Sequence, residues 1–177
     1  MGGTLTGNLN TAIGDSAGNA ITSASGSTFL GQTAGGTVTT GNQNIAVGYD
    51  AMSGRTTTGD NNIAIGVSAG DALTSGKENV AIGKGALGSA TVVAGCIAIG
   101  RAALANADHG NDDNCVAVGT FALESFSSTD ANNGTVAIGY AAGITATTGL
   151  NQCTLVGYNA GYANNNSANT LIGYKAG

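Results

Sequence analysis

Proline and tryptophan are absent from this 177-residue chain, charged residues make up 8% of it, and it holds one histidine. Each shortage excludes something. Without Pro, nothing interrupts a hydrogen-bonded ladder, because Pro is the residue that lacks the ladder's N–H donor. Aromatics at 5% leave too little side-chain volume to fill the middle of a thick globule, and Ala with small aliphatic residues supplies most of the apolar content. Five basic residues against ten acidic ones, a net charge of −5, provide no cluster of Lys and Arg for phosphates, so nucleic acid is not an expected partner. No apolar run approaches the ~20 residues of a helical span, and no membrane insertion is expected. No secretory n-region or h-region follows Met1, so export is expected to depend on a segment outside this sequence or on cell lysis.

What is present is a repeat. Asn62-Ile63-Ala64-Ile65-Gly66-Val67-Ser68-Ala69 is one copy: Asn, a β-branched residue, Ala, an aliphatic residue, Gly, two variable residues and Ala. The anchor glycines are Gly14, Gly31, Gly48, Gly66, Gly83, Gly100, Gly119, Gly139, Gly157 and Gly173, spaced 16 to 20 residues apart. Such a period is the signature of a solenoid, in which neighbouring turns bury each other. The high Gly, Asn, Ser and Thr content also suits disorder, but disorder does not demand an aliphatic residue at one fixed phase in every copy. Residues 1–9 read as a lead-in or partial turn, and residues 10–177 as one domain of ten turns.

The residue three before each glycine is β-branched in every copy, and the residue one before is always Ile, Val or Leu. Between them stands Ala, except at Phe29, Leu155 and Leu171. These three positions predict a short strand. Alternation then puts the β-branched and aliphatic columns on one face and the Ala column on the other. Both faces are apolar, so both are expected to be buried, with the small Ala face packed closely against another chain. The anchor glycine is expected to take a positive φ or to permit close backbone approach at a corner. The Ala three residues later, present in all copies, marks a crowded spot, and loops that absorb the length variation close each turn.

Cys96, Cys115 and Cys153 stand four before their glycines, where Asn10, Asn44, Asn62, Asn79 and Asn169 stand in other copies. There is no CxxC spacing, and small buried thiols are the preferred reading. Cys96 and Cys115 occupy successive turns, ~4.8 Å apart in a parallel stack, which leaves a disulfide open. The Asn residues of this column are expected to form a side-chain ladder or to satisfy corner backbone groups.

Asn10-Thr-Ala-Ile-Gly14 with Asp15-Ser-Ala-Gly18, and Thr58-Gly-Asp-Asn-Asn-Ile-Ala-Ile-Gly66, resemble the YadA-like head repeats of trimeric autotransporter adhesins. They resemble still more the similar repeats of bacteriophage tail-fibre proteins. The resemblance runs from about Asn10 to Gly177. It implies an all-β fold, a left-handed parallel β-roll, three chains around one axis, attachment to a surface receptor or matrix, and an extracellular, cell-surface or virion location.

Few residues point to chemistry. Gly83-Lys-Gly-Ala-Leu-Gly88 matches the dinucleotide fingerprint by spacing, but the repeat already explains its glycines and no helix pattern follows. Asp108-His109-Gly110-Asn111-Asp112-Asp113-Asn114 is the one dense acidic cluster. Asp108, Asp112 and Asp113 could offer oxygens to Ca²⁺. A solvated loop with a local bulge is preferred, because the cluster occurs once and lacks EF-hand order; no cofactor is otherwise expected. The residue after the glycine is Tyr in Tyr49, Tyr140, Tyr158 and Tyr174, with Lys84 and Arg101 between. Tyr140, Tyr158 and Tyr174 would form an outer column, serving either as a sugar platform through their ring faces or as ordinary same-face packing. Tyr162 lies off it. With one His and no nucleophile–base set, an enzyme is not expected.

The resulting expectation is a homotrimeric fibre segment: a stiff spacer, about 50 Å long at ~4.8 Å per turn, with possible contact to a host receptor or glycan. Two alternatives stand beside it. One is an extracellular filament stacking end to end. The other is an ice-binding solenoid, disfavoured because Thr37, Thr39, Thr56 to Thr58, Thr145 and Thr147 fall in loops of varying length.

Overall fold

The computed structural model describes residues 6–107, 113–125, 134–145, 150–164 and 166–177. Ten three-residue strands occupy the positions read from the sequence: β1 Thr11–Ile13, β2 Thr28–Leu30, β3 Ile45–Val47, β4 Ile63–Ile65, β5 Val80–Ile82, β6 Ile97–Ile99, β7 Val116–Val118, β8 Val136–Ile138, β9 Thr154–Val156 and β10 Thr170–Ile172. They form one parallel sheet in sequence order, so the chain is an all-β parallel solenoid. The register is that of the repeat: Ile45 pairs with Ile63, Ala46 with Ala64 and Val47 with Ile65. No helix occurs among the described residues.

The anchor glycine ends each strand for both of the expected reasons. Its φ lies between 129° and 137° in every copy. It also stacks on its successor: a Cβ on Gly66 would stand 2.8 Å from the carbonyl oxygen of Gly83, and one on Gly157 2.3 Å from that of Gly173. No side chain fits between two such corners.

Outside the strands the ladder continues by a different device. Three further positions per turn have positive φ: two after the glycine (Ser16, Thr33, Phe121, Ala141), four after it (Gly18, Met52, Leu87, Leu123), and five before it (Gln43, Asn61, Glu78, Asn114). Left-handed geometry costs an L-residue roughly 1–2 kcal/mol, and most of these residues are not Gly. What offsets the cost is the direction of the amide. The N–H two after the glycine donates to the preceding turn, as in Ser68 to Tyr49 O at 3.0 Å and Ala102 to Lys84 O at 2.9 Å. The N–H four after it donates to the following turn, as in Met52 to Ala69 O at 3.0 Å and Leu104 to Ala122 O at 2.9 Å. The N–H five before it donates backward again, as in Glu78 to Asp60 O at 3.0 Å. The corners thus bond along the axis as the strands do, leaving few buried polar groups unpaired.

The two faces of the sheet are assigned oppositely to the sequence expectation. Ala46, Ala64, Ala81, Ala98, Ala117 and Ala137 have no solvent exposure and line the interior of the chain itself. They are not a surface for another chain. The β-branched and aliphatic columns point outward, with Ile13, Leu30, Ile45, Ile65, Ile97, Ile99, Ile138 and Ile172 between 37 and 68% exposed. The reason is room. A three-residue strand turns one side chain in and two out, and the interior already holds the Ala column three after the glycine (Ala34, Ala51, Ala69, Ala86).

That interior accepts about one or two large side chains per turn, and different copies supply them from different positions. Met52, Leu87, Leu104 and Leu123 come from four after the glycine. Where that position is Gly, another residue fills the space: a Cβ on Gly35 would meet the Phe29 ring at 2.2 Å, one on Gly161 would meet Leu155 at 2.8 Å, and one on Gly70 would meet Leu73 at 3.1 Å. The Phe29 and Leu155 exceptions in the Ala column are therefore one half of a volume exchange, consistent with close packing of protein interiors.

Candidate functional site

The column four before the glycine is a polar ladder in the first five copies, buried from Ser27 to Asn79. Asn44 Oδ1 accepts from the Asn62 backbone N–H at 2.8 Å and from its Nδ2 at 3.2 Å; Asn62 Oδ1 accepts the same pair from Asn79 at 3.1 and 3.0 Å. Each amide also donates to a loop carbonyl within its own repeat, Asn62 Nδ2 to Gly76 O at 2.8 Å and Asn79 Nδ2 to Val93 O at 2.7 Å. Both expected roles are thus met by the same side chains. Ser27 continues the column toward Asn10, its N–H donating to Asn10 Oδ1 at 2.9 Å.

Cys96 takes over where the Asn run stops, its N–H donating to Asn79 Oδ1 at 2.9 Å. Cys96, Cys115 and Cys153 are all buried, and none is in a disulfide. The neighbouring Cys115 sulfur, and then burial, push the Cys96 thiol well above its ordinary value, so it stays protonated and unreactive at neutral pH.

Of the acidic cluster, Asp108 and Asp112, with His109, lie outside the described residues. Asp113 accepts a hydrogen bond from the Ala94 N–H at 2.7 Å, so its carboxylate closes a loop of the preceding copy. Among the described residues no group of three His, Cys, Asp or Glu side chains comes together. A different polar set lies over the early turns. Thr33 Oγ1 donates to Asp50 Oδ1, and Ser53 Oγ donates to Asp50 Oδ1 at 3.2 Å and to Asp71 Oδ1 at 3.3 Å, beside a shallow depression of about 240 Å³. The Thr33 hydroxyl holds the Asp50 carboxyl below its usual value, and the Tyr49 hydroxyl is raised by its bond to Asp50.

The loops hide an alignment. Despite their different lengths, Thr22, Thr39 and Thr57 follow one another turn on turn, and so do Thr58, Thr74 and Thr91. Thr22 Oγ1 donates to Thr39 O at 3.0 Å, Thr39 Oγ1 to Thr57 O at 3.4 Å, and Thr74 Oγ1 to Thr91 O at 2.9 Å. The hydroxyls are committed to the neighbouring turn as rungs. Thr147 lies outside the described residues.

Tyr140, Tyr158 and Tyr174 form the column expected of them. Tyr140 and Tyr158 stack with centroids 5.1 Å apart at 11°, and Tyr158 and Tyr174 at 5.3 Å and 16°. Rings so close and so nearly parallel turn their faces to one another. Each ring face that stacks on its neighbour is covered by it. Sequence reasoning placed Arg101 in this column but missed two members, Phe121 and Lys175. Phe121 packs edge-on against Tyr140 at 5.9 Å and 83°, and Arg101 lies over the Phe121 ring at 5.0 Å; Lys175 covers Tyr174 at 5.3 Å. Phe121 stands two after its glycine where the tyrosines stand one after, so a column read by position alone omits it.

By fold the chain is a repetitive β-solenoid with one apolar outer face, a buried Asn ladder and an aromatic stack. Neither a protein-family model, nor a curated protein, nor a solved structure matches it.

Proposed function

We propose that the chain is a structural and adhesive segment of a trimeric extracellular or virion fibre, a stiff spacer whose copies associate through the Ile/Val face of the sheet. One observation carries this: the outward β-branched and aliphatic columns run the whole length of β1 to β10 and remain partly exposed. A continuous apolar strip of this kind is rare on a protein that stays alone in water. Fully burying one such side chain contributes about 1.5–3 kcal/mol; even a fraction of that, repeated at each turn, exceeds the cost of association. The number three comes from the resemblance of the repeats to autotransporter heads and tail fibres. Host contact, to a receptor or glycan, falls to the loops and the outer columns.

The test is molar mass by light scattering over a range of concentrations, with the Ile65→Lys/Ile97→Lys double variant beside it. The expected result is a concentration-independent trimer that the double variant converts to folded monomers with an unchanged circular dichroism spectrum. A folded wild-type monomer sinks the reading. Mass that grows without limit replaces it with the end-to-end filament.

A further inference from the structure

We propose that Tyr140, Tyr158 and Tyr174 form an oxidative cross-linking site, where phenols on consecutive turns couple into a dityrosine rung. The oxidant is hydrogen peroxide acting through a one-electron-oxidising haem peroxidase. The rings are already in place: centroids 5.1 and 5.3 Å apart, nearly parallel, on side chains 45, 46 and 72% exposed. The backbone fixes their spacing beside the rings, with the Asn159 N–H on Tyr140 O at 2.9 Å and the Lys175 N–H on Tyr158 O at 2.8 Å. Because their faces are turned to each other, the stack is better arranged for reaction between rings than for a guest. Held reactants gain heavily over free ones, since the encounter is already made.

In the balanced step, each of two phenols gives one hydrogen atom, as an electron and a proton, and one peroxide becomes two waters. The two phenoxyl radicals join through a new carbon–carbon bond between ortho positions. The two ortho hydrogens then move as protons to the phenolic oxygens. The chain loses two hydrogens in all. Phe121 has no hydroxyl and ends the reactive run on one side, so two pairs are possible and Tyr158 belongs to both. Tyr49 and Tyr162 are as exposed, at 51 and 47%, but have no ring neighbour among the described residues. They separate exposure from pre-stacking.

The experiment treats the dilute protein with peroxide and a haem peroxidase, then reads dityrosine fluorescence, intact mass and fragment spectra of the denatured single chain. Expected is a blue-fluorescent chain of unchanged length that has lost two hydrogens, with the linkage at Tyr140–Tyr158 or Tyr158–Tyr174. Tyr158→Phe keeps a ring in the stack and is expected to lose nearly all of the intrachain signal. Tyr49→Phe and Tyr162→Phe are expected to keep it. Undiminished intrachain signal in Tyr158→Phe overturns the proposal, as does coupling only between chains, or none. These outcomes are independent of the oligomer mass that decides the fibre reading.

Discussion

The first five copies and the last four share one backbone and hold their turns together with different side chains. From Asn10 to Asn79 the polar column is inside, each amide bridging two turns and a loop. From Cys115 onward the same column holds Cys115, Thr135, Cys153 and a half-buried Asn169 whose side-chain amide bonds within its own loop, to Asn164 and Asn166, and the side-chain stacking moves outside, to Phe121, Tyr140, Tyr158 and Tyr174. Thr135 still reaches Leu150 O, but no buried amide-to-amide bond is left there among the described residues. The comparison teaches that the axial backbone bonds set the fold, and that the columns hung on them are interchangeable supports. A buried amide ladder is cooperative and intolerant of gaps; an exposed ring stack is weaker and tolerant.

That contrast can be broken by substitution. The backbone effect should be the largest. Gly66→Ala meets both a φ of +131° and a neighbour's carbonyl at 2.8 Å, whereas Gly173→Ala meets the same φ, +134°, and nothing nearer than a Cβ at 4.0 Å. Strain alone costs about 1–3 kcal/mol, so Gly173→Ala should lose that much, and Gly66→Ala more than about 4 kcal/mol or its fold altogether. Urea titration of both reads the difference, and equal losses would mean that crowding contributes nothing. Next comes Asn62→Ala, which strands buried groups on Asn79 and Gly76 and should cost about 2–6 kcal/mol at about 1–3 per group. Cys115→Ala in the same column should cost about 1 kcal/mol. If the two thermal shifts are alike, the ladder is not what distinguishes the halves. Tyr158→Leu removes two aromatic pairs while keeping apolar cover, and should cost about 1–2 kcal/mol. The loss should show as faster hydrogen exchange at the Asn159 and Lys175 amides, with those of Asn62 and Asn79 unchanged.

The smallest effect is electrostatic. Asp50 has its folded carboxyl lowered by Thr33, so its contribution is present above the ordinary value of 3.8 and disappears as pH falls through the lower folded one. Thr33→Val should move the Asp50 titration, followed by carbon NMR, back up toward that value. Stability at neutral pH should barely change, because the half-exposed group is screened by solvent.

Strand positions were legible because three residues with strict chemistry precede a glycine in each copy. The Asn ladder was legible because one column repeats Asn, a residue that pairs with itself, in the consecutive copies Asn44, Asn62 and Asn79. The inner face was not, since Ala and Ile are both apolar and hydropathy alone does not distinguish a small interior from an outer strip. The left-handed corners were hidden too: Ser68, Ala141, Phe121 and Leu123 carry no turn signature, and only the axial partner of each N–H explains them. Loops of unequal length concealed the Thr22–Thr39–Thr57 and Thr58–Thr74–Thr91 runs, and a one-residue offset concealed Phe121.

The axial direction of so many hydrogen bonds has a mechanical consequence. Tension applied evenly to the ends of the rod loads every bond between two adjacent turns together, in parallel, so the joint yields only when they all do. Tension applied through the polypeptide itself pulls on one edge of one turn and loads the same bonds in series, one after another. The rod should therefore be stiff and strong when gripped across its section, and peel at low force when a single strand of it is pulled. A load passed into such a segment is best spread across its whole end.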